Sequence, residues 1–447
     1  MDMRLPAEPP DAHDLLQQLM RDPERFMQVM TTSFDTSGYP HWDTLRRKPA
    51  PAGLTSEEWW LRIKTARGQT ARVIPLLVDA QGKPFWFGLP DEVLKLNDEI
   101  TRFASGQIVV SDLVTDPDLR DRYVISSLME EAITSSQLEG AVTTRVEGKQ
   151  LLRSGREPRD NSERMIVNNY RAMQYIREHV HDPLTPAMVK DIHVIVTDAT
   201  LDDQGVAGQL QGGEDRRVAV VDVRDGQVVH MPPQASSLVA RLERLCEFAN
   251  GADQGTYLPP VLRAIAIHFM VGYDHYFADG NGRTARALFY WSMLREGFWL
   301  AEFLTVSRIL RQAPAQYSRS FQLTETDDGD LTYFFLYHLA VIRRAINDLM
   351  SHLERKMMEL QDVQRRLRSQ PGEFNHRQIA LLDHALRNPG FEYSAISHAT
   401  SHAVTDQTAR NDLADLEAGG YLLRGKRGRQ FVWSPAPHLR QRLSSAQ

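Results

Sequence analysis

The chain has almost no cysteine. Cys246 is the single cysteine in 447 residues, so no disulfide can form within the chain, and the sequence favours a reducing compartment. No apolar run approaches the length that spans a bilayer. The first residues include Asp2, Glu8 and Asp11 and no apolar stretch, which is not the pattern of a signal peptide. We therefore expect a cytoplasmic protein with no membrane association.

The chain also lacks an excess of positive charge. With 52 Lys and Arg against 58 Asp and Glu, its formal net charge is -6. Binding to nucleic acid would therefore depend on a local basic patch. Hydrophobic residues make up 42% and charged residues 25%, which is typical of a globular protein. The length is sufficient for more than one domain.

Helical patterns dominate the middle of the chain. A strand pair around Asp225-Gly226, over 218–231, interrupts them. The spacing of apolar residues predicts helices over 121–138, 162–180, 185–200, 237–250, 260–274, 283–295 and, as one long element, 331–368.

The two ends of the chain differ from the middle. Residues 1–104 combine short helices with a predicted hairpin, and residues 371–447 predict three helices followed by a strand pair. We expect a mainly α protein with an N-terminal accessory α+β unit over 1–104. A helical domain over 105–355 and a small C-terminal domain over 371–447 would follow.

One loop and the start of the next helix carry most of the chemistry. The sequence His275-Tyr-Phe-Ala-Asp-Gly-Asn-Gly-Arg283 is followed by Thr-Ala-Arg286. Glycines let backbone N–H groups face an anion, and the helix adds its positive N-terminal end. Arg283 and Arg286 share a helix face and can reach one phosphate chain. Asp279 is a hard oxygen ligand suited to Mg²⁺, and His275 is a candidate general base.

Other types of site explain this loop less well. A metal hydrolase would use His268, His275 and Asp279, but the two arginines would then have no role. A dinucleotide fingerprint is excluded because no strand precedes the loop, and a P-loop because no Gly-Lys-Ser/Thr is present.

The stretch from His275 to Arg286 resembles the signature of Fic-domain enzymes, His-Pro-Phe-x-Asp/Glu-Gly-Asn-Gly-Arg-x-x-Arg. The one departure is Tyr276, where the family usually has Pro. The resemblance covers roughly residues 105–350 and implies a helical bundle with a small β-hairpin flap. It implies transfer of AMP from ATP, with Mg²⁺, to a Ser, Thr or Tyr hydroxyl of a target protein or of the protein itself.

The resemblance also implies a role for each residue of the motif. His275 would deprotonate the target hydroxyl, Asp279 would hold Mg²⁺, and the flap over 218–231 would pair with the target segment as an added strand. Tyr317 lies where the family has an aromatic pair near the adenine. The residues implied in ATP binding are Gly280, Asn281, Gly282, Arg283, Thr284, Ala285, Arg286 and Tyr317.

A second motif precedes the loop. Ser135-x-x-x-Glu139-Gly140, at the end of a helical segment over 121–140, resembles the inhibitory motif Ser/Thr-x-x-x-Glu-Gly/Asn of Fic proteins. A carboxylate at the C-terminal end of a helix opposes the helix dipole. The resemblance implies that Glu139 pairs with Arg286, keeps the γ-phosphate of ATP away from it and so inhibits the enzyme.

The C-terminal region resembles a winged helix. Residues 405–421 are similar to its second helix and turn, and no Asp or Glu occurs from 418 to 447. Acidic residues in the candidate recognition helix argue against DNA binding, and a protein contact or a homodimer is the alternative. The basic residues of the wing are Arg424, Lys426, Arg427 and Arg429, and the opposing acids are Asp412, Asp415 and Glu417.

Three hypotheses follow. The first is an autoinhibited protein adenylyltransferase. The second is a DNA-binding regulator whose Fic unit senses a nucleotide. The third is a hydrolase that removes AMP from modified proteins. The target protein and the donor stay open, with another nucleotide or a phosphocholine donor as alternatives to ATP.

Overall fold

The computed structural model describes residues 5–33, 38–104, 117–212, 217, 219–221, 226, 228–252, 255–369, 374–388, 390–427 and 430–445. Within these residues the protein is mainly helical, and its three sheets are two-stranded and antiparallel, which confirms the predicted fold class. The chain divides into two compact units. One contains residues 1–109 and 124–347, and the other contains residues 110–123 and 348–447.

The elements are numbered here in chain order. The helices are α1 (Ala12–Leu19), α2 (Pro23–Thr31), α3 (Trp42–Leu45), α4 (Ser56–Thr70), α5 (Asp91–Ala104), α6 (Pro117–Leu138), α7 (Arg145–Ser154), α8 (Asn161–Glu178), α9 (Pro186–Thr197), α10 (Leu238–Ala249), α11 (Pro260–Asp274), α12 (Asn281–Arg295), α13 (Val306–Gln312), α14 (Pro314–Thr326), α15 (Thr332–Ser369), α16 (His376–Arg387), α17 (Ala395–His402), α18 (Asp406–Ala418) and α19 (Leu439–Ser445). The strands are β1 (Arg72–Val78), β2 (Pro84–Phe87), β3 (Val220–Val221), β4 (Val228–His230), β5 (Leu422–Arg427) and β6 (Gln430–Pro435). Short 3₁₀ turns lie at Gln204–Val206, Ala235–Ser237 and Trp299–Phe303.

Helices α11 and α12 lie at the centre of the first unit. Helix α11 begins at Pro260, a residue that suits the first helical position, and it is buried on all sides from Val261 to Val271. In α12 the large side chains Phe289 and Trp291 are likewise buried. A helix that is apolar all round has to be enclosed by its neighbours. The loop between these two helices is therefore held at both ends by buried helices.

The predicted helices are present, with bounds shifted by a few residues. Helix α12 begins at Asn281, two residues before the predicted start, so Asn281 and Gly282 belong to its first turn. Helix α7 was missed. The sequence does contain a start signal for this helix. Thr144 and Glu147 form a capping box, as Thr55 and Glu58 do at the start of α4.

The strand pair over 218–231 is confirmed in a shorter form. Val220 pairs with His230 and Val221 with Val228. The turn at 222–225 and the predicted strand residue Val218 lie outside the described residues. We refer to β3, β4 and their flanking residue Arg217 as the flap.

The aromatic residues near the N-terminus form a small core. Trp42, Leu45, Trp60 and Ile63 pack together from α3 and α4. Cys246 is a buried core residue, and burial raises the pKa of its thiol to about 12. Within the described residues, none of the helices has both the length and the apolar character required to cross a membrane.

The second unit contains α16, α17 and α18, each capped at its N-terminus by a polar side chain, followed by the β5–β6 hairpin. An isolated antiparallel bridge joins Tyr393 to Trp433. The predicted helices and strand pair of this region are all present. Its interior is formed by apolar side chains, among them Leu382, Leu413 and Trp433.

Candidate active site

The loop from His275 to Gly280 is held in one conformation by its own residues. His275 has φ 49° and ψ 55°, and Gly280 has φ 82°, so both are left-handed. The Asn281 side chain accepts from the N–H of Phe277 at 3.0 Å and donates to the Phe277 carbonyl at 2.7 Å. Two left-handed residues and this side-chain clamp reverse the chain between α11 and α12.

Two residues distant in sequence support the loop from behind. Nδ1 of His193 accepts from the N–H of Gly208 at 2.9 Å, so its Nε2–H donates to the Asp279 carbonyl at 2.8 Å. The His193 ring also stacks on Phe277, with centroids 3.7 Å apart. Gln211 donates from Nε2 to the Phe277 carbonyl at 2.7 Å. His193 and Gln211 could not be predicted as site residues, because no local sequence pattern links them to the motif.

His275 is arranged as a base. Its Nδ1 lies 3.3 Å from the carbonyl oxygen of Gly272, a geometry that places the proton on Nδ1 and leaves the lone pair on Nε2. Burial lowers the pKa of His275. The hydrogen bond with the Gly272 carbonyl opposes this, the positive charges of His230 and Arg217 lower the pKa further, and the charge of Glu139 has a smaller raising effect. The imidazole is therefore neutral over most of the physiological pH range.

The flap is hydrogen-bonded to the backbone carbonyl groups of residues 273–275. Arg217 donates from Nη2 to the carbonyls of Asp274 (2.6 Å) and His275 (3.0 Å), and from Nε to the carbonyl of Pro233 (2.7 Å). His230, on β4, places one ring nitrogen 2.7 Å from the carbonyl of Tyr273. Both ends of the flap are thus fixed to the same short segment.

The second ring nitrogen of His230 lies 2.6 Å from a carboxylate oxygen of Glu325, on α14. Since both nitrogens face acceptors, the imidazolium is the form that satisfies both. Burial acts to lower the pKa of His230, but the hydrogen bond and the charge of Glu325 outweigh it, and the pKa is raised.

The two motif arginines in the first turns of α12, Arg283 and Arg286, are buried, and some of their N–H groups have no hydrogen-bond acceptor in the described part of the chain. Arg283 donates from Nη1 to the carbonyl of Val196 at 2.7 Å. Its Nε and the Nη1 of Arg286 are buried, and neither has a hydrogen-bond partner among the residues that the structure describes. Buried unpaired donors on charged groups are costly. An anion at the start of α12 would satisfy them.

Glu139 lies at this position. Nη2 of Arg286 donates to Oε1 of Glu139 at 2.8 Å and to the carbonyl of Ser135 at 3.2 Å, while Nε donates to the Ser135 hydroxyl at 2.8 Å. A Cβ on Gly282 would collide with Oε1 of Glu139 and would lie 3.1 Å from Nη1 of Arg286. The carboxylate therefore lies against the N-terminal turn of α12, where a helix attracts anions.

The charge of Arg286 is maintained by its neighbours. Burial acts to lower its pKa, but Glu139, followed by Tyr317 and by Glu131, more than offsets burial, so the pKa is raised. Gly140, next to Glu139, has φ 97°, a left-handed value that favours glycine.

Asp279 differs from the buried arginines because its side chain is 65% exposed, with Oδ2 3.4 Å from Nη2 of Arg283. A single accessible carboxylate suits Mg²⁺, which takes its remaining ligands from water and from substrate phosphates. Among the described residues no group of three or more His, Cys, Asp or Glu could hold a metal ion, so the metal-hydrolase alternative loses its ligand set. His268 instead lies buried, with Nε2 2.7 Å from the Tyr317 hydroxyl.

Comparison with known proteins agrees with this geometry. Residues 183–293, which include α9, α11 and most of α12, match the family model described as Fic/DOC family. The chain contains a Fic domain. A curated protein from Drosophila grimshawi named protein adenylyltransferase Fic is 30% identical over 130 residues, which are 29% of this chain and 24% of that protein. The protein of the same name from Drosophila mojavensis is 28% identical over 166 residues, 36% of this chain and 29% of that protein.

The chain spans about a quarter of the length of these curated relatives. Among solved structures, a Fic family protein from Desulfovibrio desulfuricans G20 superposes with a TM-score of 0.51 and 19% identity, covering 78% of this chain and 97% of that chain. At this identity the likeness shows a shared fold. The Fic helical fold predicted from the sequence is thereby confirmed.

Within the Fic domain, the departure at Tyr276 has a structural explanation. The Tyr276 hydroxyl donates to Asp274 at 2.6 Å, and Asp274 forms an ion pair with Arg241 at 2.6 Å. All three side chains are buried. A hydrogen-bonded aromatic side chain thus stabilises the loop entry at the position where a proline ring would restrict the backbone.

Thr284 and Ala285 have structural roles in the Fic domain, and Tyr317 lies beside Arg286. Thr284 donates to the carbonyl of Gly280 at 3.0 Å, and Ala285 is buried in α12. Burial raises the pKa of the Tyr317 hydroxyl, while the nearby guanidinium of Arg286 acts to lower it. Tyr317 therefore lies beside Arg286, and its role in adenine binding stays a prediction.

Proposed function

We propose that the protein is a protein adenylyltransferase that transfers AMP from ATP to a Ser, Thr or Tyr hydroxyl, and that Glu139 inhibits it. One observation supports this proposal above all. A carboxylate is bound by Arg286 against the first turn of α12, in a place formed to receive an anion. The relatives named protein adenylyltransferase Fic support the choice of reaction.

The triphosphate would bind at the start of α12. Backbone N–H groups of Gly280 to Gly282 and the positive helix end would face the phosphate oxygens. Arg283 and Arg286 would contribute the buried donors Nε and Nη1 that have no partner in the described residues. Asp279 would hold Mg²⁺, which neutralises phosphate charge when bound.

His275 would act on the target hydroxyl. Its Nε2 would accept the hydroxyl proton while the hydroxyl oxygen forms a bond to the α-phosphorus of ATP. The bond from the α-phosphorus to the bridging oxygen of the β-phosphate breaks, and pyrophosphate leaves. The lowered pKa of His275 keeps the base unprotonated at neutral pH. Positioning and charge stabilisation would supply the rest of the rate enhancement.

Inhibition would be a competition between two anions for one guanidinium. Glu139 already satisfies Nη2 of Arg286. A γ-phosphate would have to displace this carboxylate in order to bind Arg286 in the same way. With Glu139 in place, ATP would be held with its phosphates displaced from the reactive geometry.

The flap would dock the target segment. Its two strands, β3 and β4, form a small sheet with an open edge, to which an extended peptide can add as a strand. Because Arg217 and His230 fix the flap to residues 273–275, a peptide paired with it would be placed next to His275.

Labelled ATP tests the proposed reaction. Glu139→Gly protein incubated with Mg²⁺ and cell lysate should acquire label from ATP labelled at the α-phosphate and none from ATP labelled at the γ-phosphate. Mass spectrometry should find AMP on a hydroxyl side chain. The Glu139→Gly, His275→Ala double variant is the control and should acquire no label. Transfer of the γ-label would show phosphorylation instead and would refute the proposal.

Hydrolysis of AMP from modified proteins is the second candidate. The Glu139 side chain is one-third exposed, and its charge acts on His275, so it is placed to activate a water molecule near that base. Release of AMP from a modified target by the wild-type protein, lost in Glu139→Gln, would favour hydrolysis. Equal release by both proteins would count against it.

A further inference from the structure

The C-terminal module, residues 374–445, has an element order of its own. Helices α16, α17 and α18 are followed by the β5–β6 hairpin, and the bridge from Tyr393 to Trp433 adds a third strand position to that hairpin. Residues 403–405 form the turn between α17 and α18, with Ala403 left-handed at φ 50°. Two helices joined by such a short turn, followed by a hairpin, form the helix-turn-helix arrangement in which the second helix enters the major groove of DNA.

The acids of α18 divide into two sets, because Asp412 is buried and Glu417 is half-buried, whereas Asp406 and Asp415 are exposed. Asp412 is 3% exposed and accepts hydrogen bonds from Arg377 Nε (2.7 Å), Asn375 Nδ2 (2.7 Å) and His398 Nε2 (3.1 Å). Glu417 accepts from Nε1 of Trp433 at 2.9 Å. Asp412 is therefore an interior residue that joins the three helices and does not lie on the exposed face of α18, whereas Asp415 does.

The outward face of α18 carries a different set of side chains. Gln407, Arg410, Asn411 and Ala414 follow one another at helical spacing, and all four are exposed, as are the adjacent acids Asp406 and Asp415. The hydrogen bonds that the structure shows for Gln407 and Arg410 run to Asn411 (3.0 Å) and to Asp406 (2.7 Å) on the same helix. Amide and guanidinium groups are the side chains that recognise adenine and guanine in the major groove. This face has no large apolar residue of the kind on which a protein interface is centred.

The hairpin next to α18 is basic. Arg424 and Lys426 lie over the ring of Phe431, at 5.0 Å and 5.2 Å from its centroid, and Phe431 is 43% exposed. Arg427 is exposed on the same strand, while Arg429 lies outside the described residues. No Asp or Glu occurs from 418 to 447. This is a surface suited to phosphate groups.

We propose that the C-terminal module is a winged helix that binds duplex DNA. Helix α18 enters the major groove, where Gln407, Arg410 and Asn411 contact base edges. Arg424 and Lys426 on β5 contact the phosphate backbone. The negative net charge of the whole chain, -6, does not oppose this, because the β5–β6 hairpin carries Arg424, Lys426 and Arg427 and no acid. The proposal does not rest on the activity of the Fic domain.

Fluorescence anisotropy of a labelled random-sequence duplex tests it with the full-length protein. Binding should weaken steeply as salt increases, because phosphate contacts release counterions. The Arg424→Ala, Lys426→Ala double variant should weaken binding to every sequence alike and reduce the salt slope by about two. The control is Arg21→Ala, Lys95→Ala, which removes the same charges from exposed sites of the other unit and should bind like wild type.

Selection from the random pool tests the helix separately. Wild type should enrich a defined sequence, and Gln407→Ala, Asn411→Ala should lose that preference by between about fivefold and 150-fold for each base position while keeping salt-dependent binding. The His275→Ala protein should bind DNA like wild type, which separates this proposal from the catalytic one.

Three results would overturn the DNA proposal. One is no anisotropy change at low salt. Another is an equal loss of affinity in the Arg21, Lys95 control. The third is unchanged DNA binding in the Arg424, Lys426 variant together with altered sedimentation, since that would identify the hairpin as a contact between protein chains.

Discussion

Arg286 donates from Nη2 to Oε1 of Glu139 over 2.8 Å, and the guanidinium is 2% exposed while the carboxylate is 33% exposed. The pair is thus asymmetric. The arginine is fixed in the interior of the Fic domain, whereas the glutamate lies at the end of α6 and can be displaced into solvent. An anion that reaches α12 meets a preformed guanidinium whose present partner is exchangeable.

Replacing Glu139 by Gly should strengthen ATP binding. Removing the competing anion should lower the Kd of a non-hydrolysable ATP analogue with Mg²⁺ by between about fivefold and 150-fold, the usual range of coupling between two ligands at linked sites. Titration calorimetry would measure it. Glu139→Gln keeps the shape of the side chain without its charge and should give an intermediate Kd. An unchanged Kd in both variants would contradict competition for Arg286.

Ser135 and Ser136 form a matched pair for testing the proposed inhibitory contact of α6. The Ser135 hydroxyl accepts from Nε of Arg286 at 2.8 Å, whereas the Ser136 hydroxyl accepts from Asn169 Nδ2 at 2.8 Å. Ser135→Ala should therefore raise AMP incorporation severalfold by loosening the contact between α6 and Arg286. Ser136→Ala should only lower the free energy of unfolding, by about 1 kcal/mol, with little effect on incorporation. Equal activation by both would mean that general loosening of α6 is sufficient.

Gly280 should not tolerate a side chain, and Gly297 provides the control. Both have φ 82°, at opposite ends of α12. A Cβ at Gly297 meets no atom within 4 Å, whereas one at Gly280 would lie 2.6 Å from Thr197 Cγ2 and 3.2 Å from His193 Nε2. Gly297→Ala should cost the left-handed strain alone, about 1–2 kcal/mol. Gly280→Ala should cost more and abolish AMP incorporation, because His193 supports the loop.

Chemical denaturation and the labelled-ATP assay would compare these two variants. Full activity in Gly280→Ala would contradict the role given to the contact between His193 and the Asp279 carbonyl.

The motif loop and the helices on either side of it were predicted from the sequence, but the distant residues that support the loop were not. Local patterns located α11, the loop and α12 because glycine spacing and apolar periodicity act over a few residues. The pairing of Glu139 with Arg286 was predicted from the order of two motifs, and the structure shows this contact. His193, Gln211 and Arg217 were missed, since their hydrogen bonds to the loop connect residues 58 to 86 positions apart. Such contacts depend on tertiary packing.

The same limit explains why the burial of Asp412 was not predicted. An acid on a helix is usually a solvated residue, and nothing in its neighbours shows which face is turned inward. The structure supplies Arg377 and His398 as partners from two other helices, which permits burial of the charge.

The pH dependence of AMP transfer should report the state of His275. In Glu139→Gly protein, kcat/KM should rise with pH and reach half its maximum below about 6.5, the ordinary pKa of histidine, because burial lowers the pKa of His275. Arg217→Gln removes a positive charge that lowers this pKa, so the acidic limb should move to higher pH. Arg217→Lys keeps the charge and should restore the original limb. If Arg217→Gln leaves the acidic limb of the pH profile unchanged, the charge of Arg217 does not act on His275.

The flap should detach from residues 273–275 as pH increases. The raised pKa of His230 means that its protonated form is favoured in the folded protein, so the stabilisation is full below about 6.5 and is lost as pH rises through the raised value. The groups that face this ring are Glu325 and Asp274, which favour its charge, and His275, whose protonation would oppose it.

Hydrogen exchange of the flap amides would measure this loss. Protection of β3 and β4 should fall with pH relative to β1 and β2, a hairpin whose amides correct for the intrinsic pH dependence of exchange. In His230→Gln, which cannot bear the charge, protection should be low at every pH. If the proposed function is correct, the KM for the target should rise in that variant while the KM for ATP stays constant, because the flap would contact the peptide and α12 would bind the nucleotide. A pH-independent difference between the two hairpins would mean that the ion pair with Glu325 does not hold the flap.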